Sequence, residues 1–345
     1  MVPLKGSDVE PHARIAVVRV AMTMPVMEPD LNATVLEAWA RAIDEGPFSS
    51  LCWGERIAFE NPDNLTLLGA LAAWTNRVRL LTTVIVPQLH HPVMLAKALA
   101  TGDMLSGGRL TVGIGVGGRL EDYHAVGADP ATQTMRGMAE RVAVMKRVWA
   151  GEQITESVLP VGPAPVQPGG PPLFVGSIGP KTVRSAAAWA DGLAGTTLDL
   201  DVAKQNELFD VAREAWTHAG RPKPHLVTSF WFAFGPPQQA RAQVHRHLLR
   251  YMNWIPAEYV DAMAPMTGWA GSELDGLKMF ELSTQTRVIA ITRKDAPVAL
   301  HPRRDAWLRG GDTVYLVGPY RELLATLRKG QPPQESAAGD ERATA

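Results

Sequence analysis

Strand-like and helix-like segments alternate seven times between Ile15 and Phe234, and this alternation constrains the fold more than any other feature of the chain. Short apolar runs at Ile15–Met22, Phe48–Trp53, Val78–Val86, Arg109–Ile114, Leu173–Gly176, Gly192–Gly195 and Leu226–Phe234 read as buried strands. Helical apolar spacing fills the intervals. It runs through Asn32–Ile43, the stretch opened by Asn61-Pro62-Asp63, Pro92–Leu105, Met135–Trp149, Lys181–Ala190 and Val202–Ala219. Such a chain builds parallel strands joined by helical crossovers. Seven units approaching eight predict an α/β fold of the (β/α)8 TIM-barrel type, with ligands bound at the C-terminal ends of the strands.

The residues expected at those ends carry the chemistry. The run from His90 to Gly118, HHPVMLAKALATGDMLSGGRLTVGIGVGG, takes a helix through a Gly107-Gly108 turn into a strand and then into a glycine loop, Gly113 to Gly118. Glycine admits close approach of a ligand to the backbone, and clustered N–H groups form anion-binding nests. The turn Gly176-Ser177-Ile178-Gly179-Pro180-Lys181-Thr182 leads from a strand straight into a helix, a seat suited to phosphate. Two such loops on neighbouring strands suit one elongated phosphate-bearing cofactor. The second strand ends at Trp53-Gly54-Glu55-Arg56, which can hold a planar ring and a proton. A surface ion pair is the plainer reading of Glu55 and Arg56. The third strand leads into His90-His91-Pro92, where either His90 or His91, the latter foremost, is a catalytic candidate and a simple turn is the plainer reading.

Other classes fit poorly. Gly113, Gly115 and Gly118 match G-x-G-x-x-G, yet three βα units precede them and the following acid, Glu140, lies inside an amphipathic helix, so a Rossmann dehydrogenase is disfavoured. The single cysteine, Cys52, excludes an internal disulfide and a multi-cysteine metal site, and reads as a small buried hydrophobe. No metal is expected. A net charge of −1 gives no footprint for nucleic acid or an anionic membrane. With no signal peptide and no window long enough to cross a bilayer, a cytoplasmic protein is expected, acting on a small molecule without membrane insertion.

Together the stretches FSSLCWGERIAF, LLGALAAWTNRVRL, His90–Gly118, EDYHAVG and PPLFVGSIGPKTVRSAAAWADG resemble the luciferase-like monooxygenase family. The likeness covers roughly Ile15 to Trp254, and the GPKT form at Gly179–Thr182 is more similar to the coenzyme F420 branch than to the FMN branch. It implies a barrel of the bacterial-luciferase type and a homodimer. It also implies a non-prolyl cis peptide on the third strand, at Thr83-Val84, set against the ring of the cofactor. Gly115, Gly117, Gly118, Gly176, Ser177, Gly179 and Thr182 match the family's tail and phosphate contacts. The expected activity is hydride transfer between the deazaflavin C5 and a small organic substrate. An FMN-dependent monooxygenase using oxygen is the alternative, and a degenerate barrel with a regulatory module is a third reading.

The chain departs from the family pattern twice. Arg56 stands where the family usually has a histidine, and a guanidinium stays protonated, so it suits an anionic substrate or the cofactor better than acid–base work. The family's glycine-rich G-x-D-E ending is missing. From Phe280 to Gly330 the chain instead resembles the C-terminal regulatory domain of TrkA-type potassium-transport proteins, through VIAITR at Val288–Arg293, Pro302 and RGGDTVYLVG at Arg309–Gly318. Residues 1–275 are therefore expected to be the barrel, 276–330 a small β-rich module and 331–345 a disordered tail. Otherwise Arg287–Ile291 serves as the eighth barrel strand. The longest loops, Arg119–Thr134 and Gly151–Pro172, are expected to set the substrate.

Overall fold

The computed structural model describes residues 19–271 and the backbone of 287–292, 299–300 and 313–317. Residues Val20–Ser272 form one compact unit. Its elements follow in chain order as β1 (Ala21–Thr23), α1 (Ala33–Glu45), β2 (Ser50–Trp53), α2 (Asn64–Trp74), β3 (Arg79–Ile85), α3 (Pro92–Leu105), β4 (Leu110–Ile114), α4 (Leu120–Ala125), α5 (Met135–Trp149), β5 (Leu173–Val175), α6 (Pro180–Ala186), β6 (Gly192–Thr196), α7 (Val202–His218) and β7 (His225–Ser229). Strands β1 to β7 make one sheet in sequential order, and every adjacent pair is parallel.

Local chemistry explains most boundaries. Asn32 Oδ1 accepts a hydrogen bond from the Val35 N–H at 3.0 Å and starts α1. Asp63 does the same for α2 through the Thr66 N–H at 2.7 Å, so Pro62 precedes that helix. All five residues of β4 are buried, as expected for a parallel strand covered on both faces. The two faces have separate cores. Leu51, Leu80, Val112, Val175 and Leu193 pack toward the helices. Cys52, Leu81, Phe174 and Ala194, with Ala21 and Val227, form a second cluster on the opposite face, the layer that fills the inside of a curling sheet.

The predicted strand Leu226–Phe234 is in fact two. β7 stops at Ser229, and β8 (Phe232–Phe234) leaves the seven-stranded sheet to pair in parallel with β9 (Trp269–Gly271). Helices α8 (Pro237–Tyr251) and α9 (Ala257–Met263) make that crossover. The strand after the last crossover is therefore Trp269–Gly271 rather than Arg287–Ile291. Instead β10 (Arg287–Thr292) pairs antiparallel with both β11 (Ala299–Leu300) and β12 (Thr313–Val317) in a sheet of its own. A strand held antiparallel on both sides cannot close a parallel barrel. Among the described residues no pairing joins β9 to β1, and the parallel strands form a seven-stranded sheet and a β8–β9 pair, the curled part of the predicted ring of eight. Pro302, residues 309–311 and residues 331–345 lie outside the described residues.

Loop expectations also divide. The stretch Gly151–Pro172 leads from α5 into β5, so it lies at the N-terminal ends of the strands, away from the expected site. Asp103 Oδ2 accepts from the Val166 and Gln167 N–H groups at 2.8 and 2.9 Å, and Lys97 Nζ donates to the Gly162 carbonyl at 2.7 Å. Arg119–Thr134 does lie at the C-terminal ends, and it contains α4, a helix the sequence reading missed. Its N-cap, Arg119, makes no side-chain capping bond, and only the acids Glu121 and Asp122 in the first turn mark its start.

Candidate active site

Where β3 ends, the ladder to β4 shifts register between Thr82 and Ile85, and the Thr83–Val84 peptide is cis. The Glu55 N–H donates to the Val84 carbonyl at 3.2 Å, fastening this bulge to the end of β2. Glycines surround it on three strands. A Cβ at Gly54 would lie 3.0 Å from the Thr83 carbonyl oxygen, and one at Gly113 would lie 2.2 Å from that of Thr82. At Gly115 and Gly176 it would meet the Val84 methyls at 2.9 and 2.6 Å. The primary task of Gly115 and Gly176 is thus to admit Val84; the sequence reading placed them only against a ligand. The result is a shelf of backbone with Val84 at its centre. Gly117 takes a φ of +68°, and Gly118 is exposed with open space where a side chain would stand.

Glu55 is enclosed, with its side chain 2% exposed. Its Oε2 accepts from the Val86 N–H at 2.8 Å, and its Oε1 lies 2.8 Å from His90 Nε2. A carboxylate in this position accepts, so Nε2 carries the hydrogen and Nδ1 is the basic atom of the ring. Of the two candidate histidines, the one that meets Glu55 is His90 and not His91. The 3₁₀ turn Pro87–Leu89 carries the chain so that position 90 turns inward, while His91 is exposed and caps α3 without a side-chain bond.

Arg56 is buried and tethered to α4. Its Nε donates to Asp122 Oδ2 at 3.0 Å and its Nη2 to Glu121 Oε1 at 3.2 Å, while the guanidinium carbon lies 4.9 Å from the Phe59 ring centre. Asp122 Oδ1 accepts from the Ile57 and Ala58 N–H groups at 3.0 and 2.7 Å. One carboxylate of α4 thus fixes both the side chain and the backbone that follow Glu55. Asp122 and Glu121 escaped the sequence reading because nothing local pairs them with a residue more than sixty positions earlier.

The remaining predicted residues follow β5. Ser177 Oγ accepts from the Gly179 N–H at 3.1 Å, Gly179 caps α6, and Thr182 is half-buried in the first turn of that helix. At the N-terminus of α4, Arg119 lies over the rings of Trp254 and Tyr251, at 3.7 and 4.6 Å to their centres. Nearby, His247 Nδ1 hydrogen-bonds Glu28 Oε1, and Arg250 donates to the Met27 carbonyl and to Glu60. Burial pushes the Cys52 thiol up to about 12, which leaves it protonated and inert within the inner layer. Among the described residues no group of acidic, histidine or cysteine side chains could hold a metal ion, and no helix is long and apolar enough to cross a membrane.

Comparison with known proteins identifies the family. An uncharacterized protein of Mycobacterium tuberculosis is 35% identical over 162 residues, covering 45% of this chain and 56% of its own length. An F420-dependent glucose-6-phosphate dehydrogenase of Nakamurella multipartita is 30% identical over 176 residues, 48% of this chain and 51% of its own. The chain spans about half the length of the curated relatives it matches. The solved structure of an F420-dependent secondary alcohol dehydrogenase, in complex with an F420–acetone adduct, shares the fold. Its TM-score is 0.61 at 16% identity, over 78% of this chain and 91% of that one. The model of the luciferase-like monooxygenase family matches residues 18–328, nearly the whole sequence including β10 to β12. The chain therefore belongs to the luciferase-like monooxygenase family.

Proposed function

We propose that this protein is a coenzyme F420-dependent oxidoreductase, moving a hydride between the deazaflavin C5 and a small organic substrate. The observation that carries the proposal is the glycine-lined shelf at Thr83–Val84 with the Glu55–His90 pair beside it. The residues present fit the group. A planar ring needs a surface free of side chains, and Gly54, Gly113, Gly115 and Gly176 keep the ends of β2, β4 and β5 bare around Val84. A phosphate-bearing tail needs uncrowded backbone, and Gly117, Gly118, Ser177, Gly179 and Thr182 offer it on the next two strand ends. The 30%-identical F420-dependent relative supports a deazaflavin as the group bound.

When bound, the deazaflavin supplies a two-electron centre that gives or takes hydride. The chain's own residues do the rest. Val84 backs the ring and limits its position on the shelf. His90 Nδ1 takes the proton that must leave when an alcohol-type carbon gives up hydride, and returns it in the opposite direction. Glu55 holds the imidazole through Nε2 and stabilises it once protonated. The chain departs from its family here, because His90 does from the end of β3 what a histidine at position 56 usually does. Two further expectations belong to the same proposal: a homodimer, and residues 276–330 as an appended β module, which the antiparallel β10–β12 sheet supports.

The test is a titration of the purified protein with coenzyme F420 and with FMN, each followed by fluorescence quenching. Micromolar binding of the deazaflavin alone supports the proposal. Preference for FMN replaces hydride transfer with oxygen chemistry, and binding of neither overturns the enzymatic reading.

A further inference from the structure

We infer that Arg56 and Arg119 form a subsite for an oxyanion, a carboxylate or phosphate group carried by the substrate, at the wall of the mouth built by the β2 and β4 loops. This rests on the function proposed above and names the substrate class. Both arginines follow strand ends that flank β3, and Arg56 adjoins Glu55 in the chain. A substrate held by them would stand beside the residues that handle the proton.

The argument comes from hydrogen bonds left unmade. Arg56 is 4% exposed, yet its Nη1 is buried with no hydrogen-bond partner among the described residues. Arg119 Nε is buried in the same condition, and Arg119 Nη2 makes a long bond to the Tyr251 carbonyl at 3.4 Å. Buried guanidinium N–H groups without acceptors are costly, and structures retain them where a ligand completes them. Charge points the same way. Asp122 uses one oxygen on Arg56 and the other on two backbone N–H groups. Glu121 reaches Arg56 from the solvent side, with a side chain 41% exposed. Asp122 is thus fully engaged by Arg56 and the backbone, and no hydrogen bond or ion pair joins it to Arg119 among the described residues. Burial lowers the Arg119 pKa and the like charge of Arg56 adds to this, while Tyr251 and Asp122 oppose it. An incoming anion would relieve both the repulsion and the missing acceptors. The Trp254 and Tyr251 rings hold the Arg119 guanidinium flat, so its edge is preorganised for two-point contact.

The test uses the full chain with inorganic phosphate and with acetate, titrated separately at constant ionic strength and read by tryptophan fluorescence. Coenzyme F420 affinity is measured alongside, in buffer free of both anions. Saturable binding of either anion is expected, and the stronger of the two names the group. Arg119→Gln and Arg119→Met should each weaken it about tenfold or more while F420 affinity stays within about twofold. The Met variant keeps an apolar stem against Trp254 and guards against loss of packing alone. If F420 affinity falls together with anion affinity, the pair serves the cofactor and the inference is overturned. Absence of saturable anion binding in a protein that binds F420 also overturns it and leaves the proposed function standing. Arginine-dependent anion binding without F420 binding would sustain the subsite and remove the cofactor reading.

Discussion

Gly176 and Val84 meet across the end of the sheet so closely that a Cβ on the glycine would lie 2.6 Å from Val84 Cγ1. One strand, β4, lies between theirs in the sheet order. The contact shows what the glycines at these strand ends do before any ligand arrives: they leave room for a bulge that no other residue would admit.

The first prediction follows from that geometry. Gly113→Ala places its Cβ against the Thr82 backbone oxygen, which cannot swing aside, and should destabilise the protein by about 1–3 kcal/mol in a thermal melt. Gly176→Ala should push on Val84, costing less stability but weakening cofactor binding. Gly118→Ala has open space and an ordinary φ, so it should change stability by less than about 0.5 kcal/mol.

The two histidines give the second. His90→Gln should lower kcat by about 10²–10⁴-fold with little change in cofactor affinity, because it removes proton transfer and not binding. Glu55→Gln should fall in the same direction, since an amide no longer stabilises a charged imidazole. His91→Ala should leave turnover unchanged, as its side chain is exposed and unbonded. Equal losses at His90 and His91 would contradict the assignment.

The Arg56–Asp122 pair gives the third. Replacing Asp122 by alanine strands a buried guanidinium and frees the Ile57 and Ala58 N–H groups. The cost should reach about 3–5 kcal/mol in denaturant unfolding. Glu121→Ala, on the exposed side of the same arginine, should cost under about 1 kcal/mol.

Acidity supplies the fourth. The hydrogen bond from His247 holds Glu28 below the ordinary carboxylate value of 4.5, with burial opposing and the charges of His247, Arg250 and Arg246 assisting. A carboxylate depressed in the folded state stabilises it above the unfolded pKa, and that contribution is lost as pH falls through the folded value. The melting temperature should therefore drop as pH is lowered below about 4.5, the ordinary value, and Glu28→Gln should flatten this acid limb. An unchanged acid limb in the variant would remove Glu28 from the account.

How much of this was legible in the chain depends on the range of each interaction. Alternating apolar periods fixed the seven parallel strands and most of their crossovers, because burial on one face or two is written into local spacing. The strand ends bearing Glu55, Thr83–Val84, Gly115 and Gly176 were legible for the same reason. Tertiary structure alone decided the partners. His90 and His91 are neighbours of one residue type, and only the Pro87–Leu89 turn determines which of them reaches Glu55. Arg56 was readable as a departure from the family, but its bond to Asp122 spans 66 residues and depends on a helix with no side-chain cap. The break between β7 and β8 left no local mark either, since Phe230 and Trp231 continue an apolar run and the change of sheet is set by the β9 strand that arrives later. Periodicity is a property of consecutive residues. Which distant group fills a cavity, accepts a hydrogen or closes a sheet is set by the packing of elements, and that was settled only once the strands had come together.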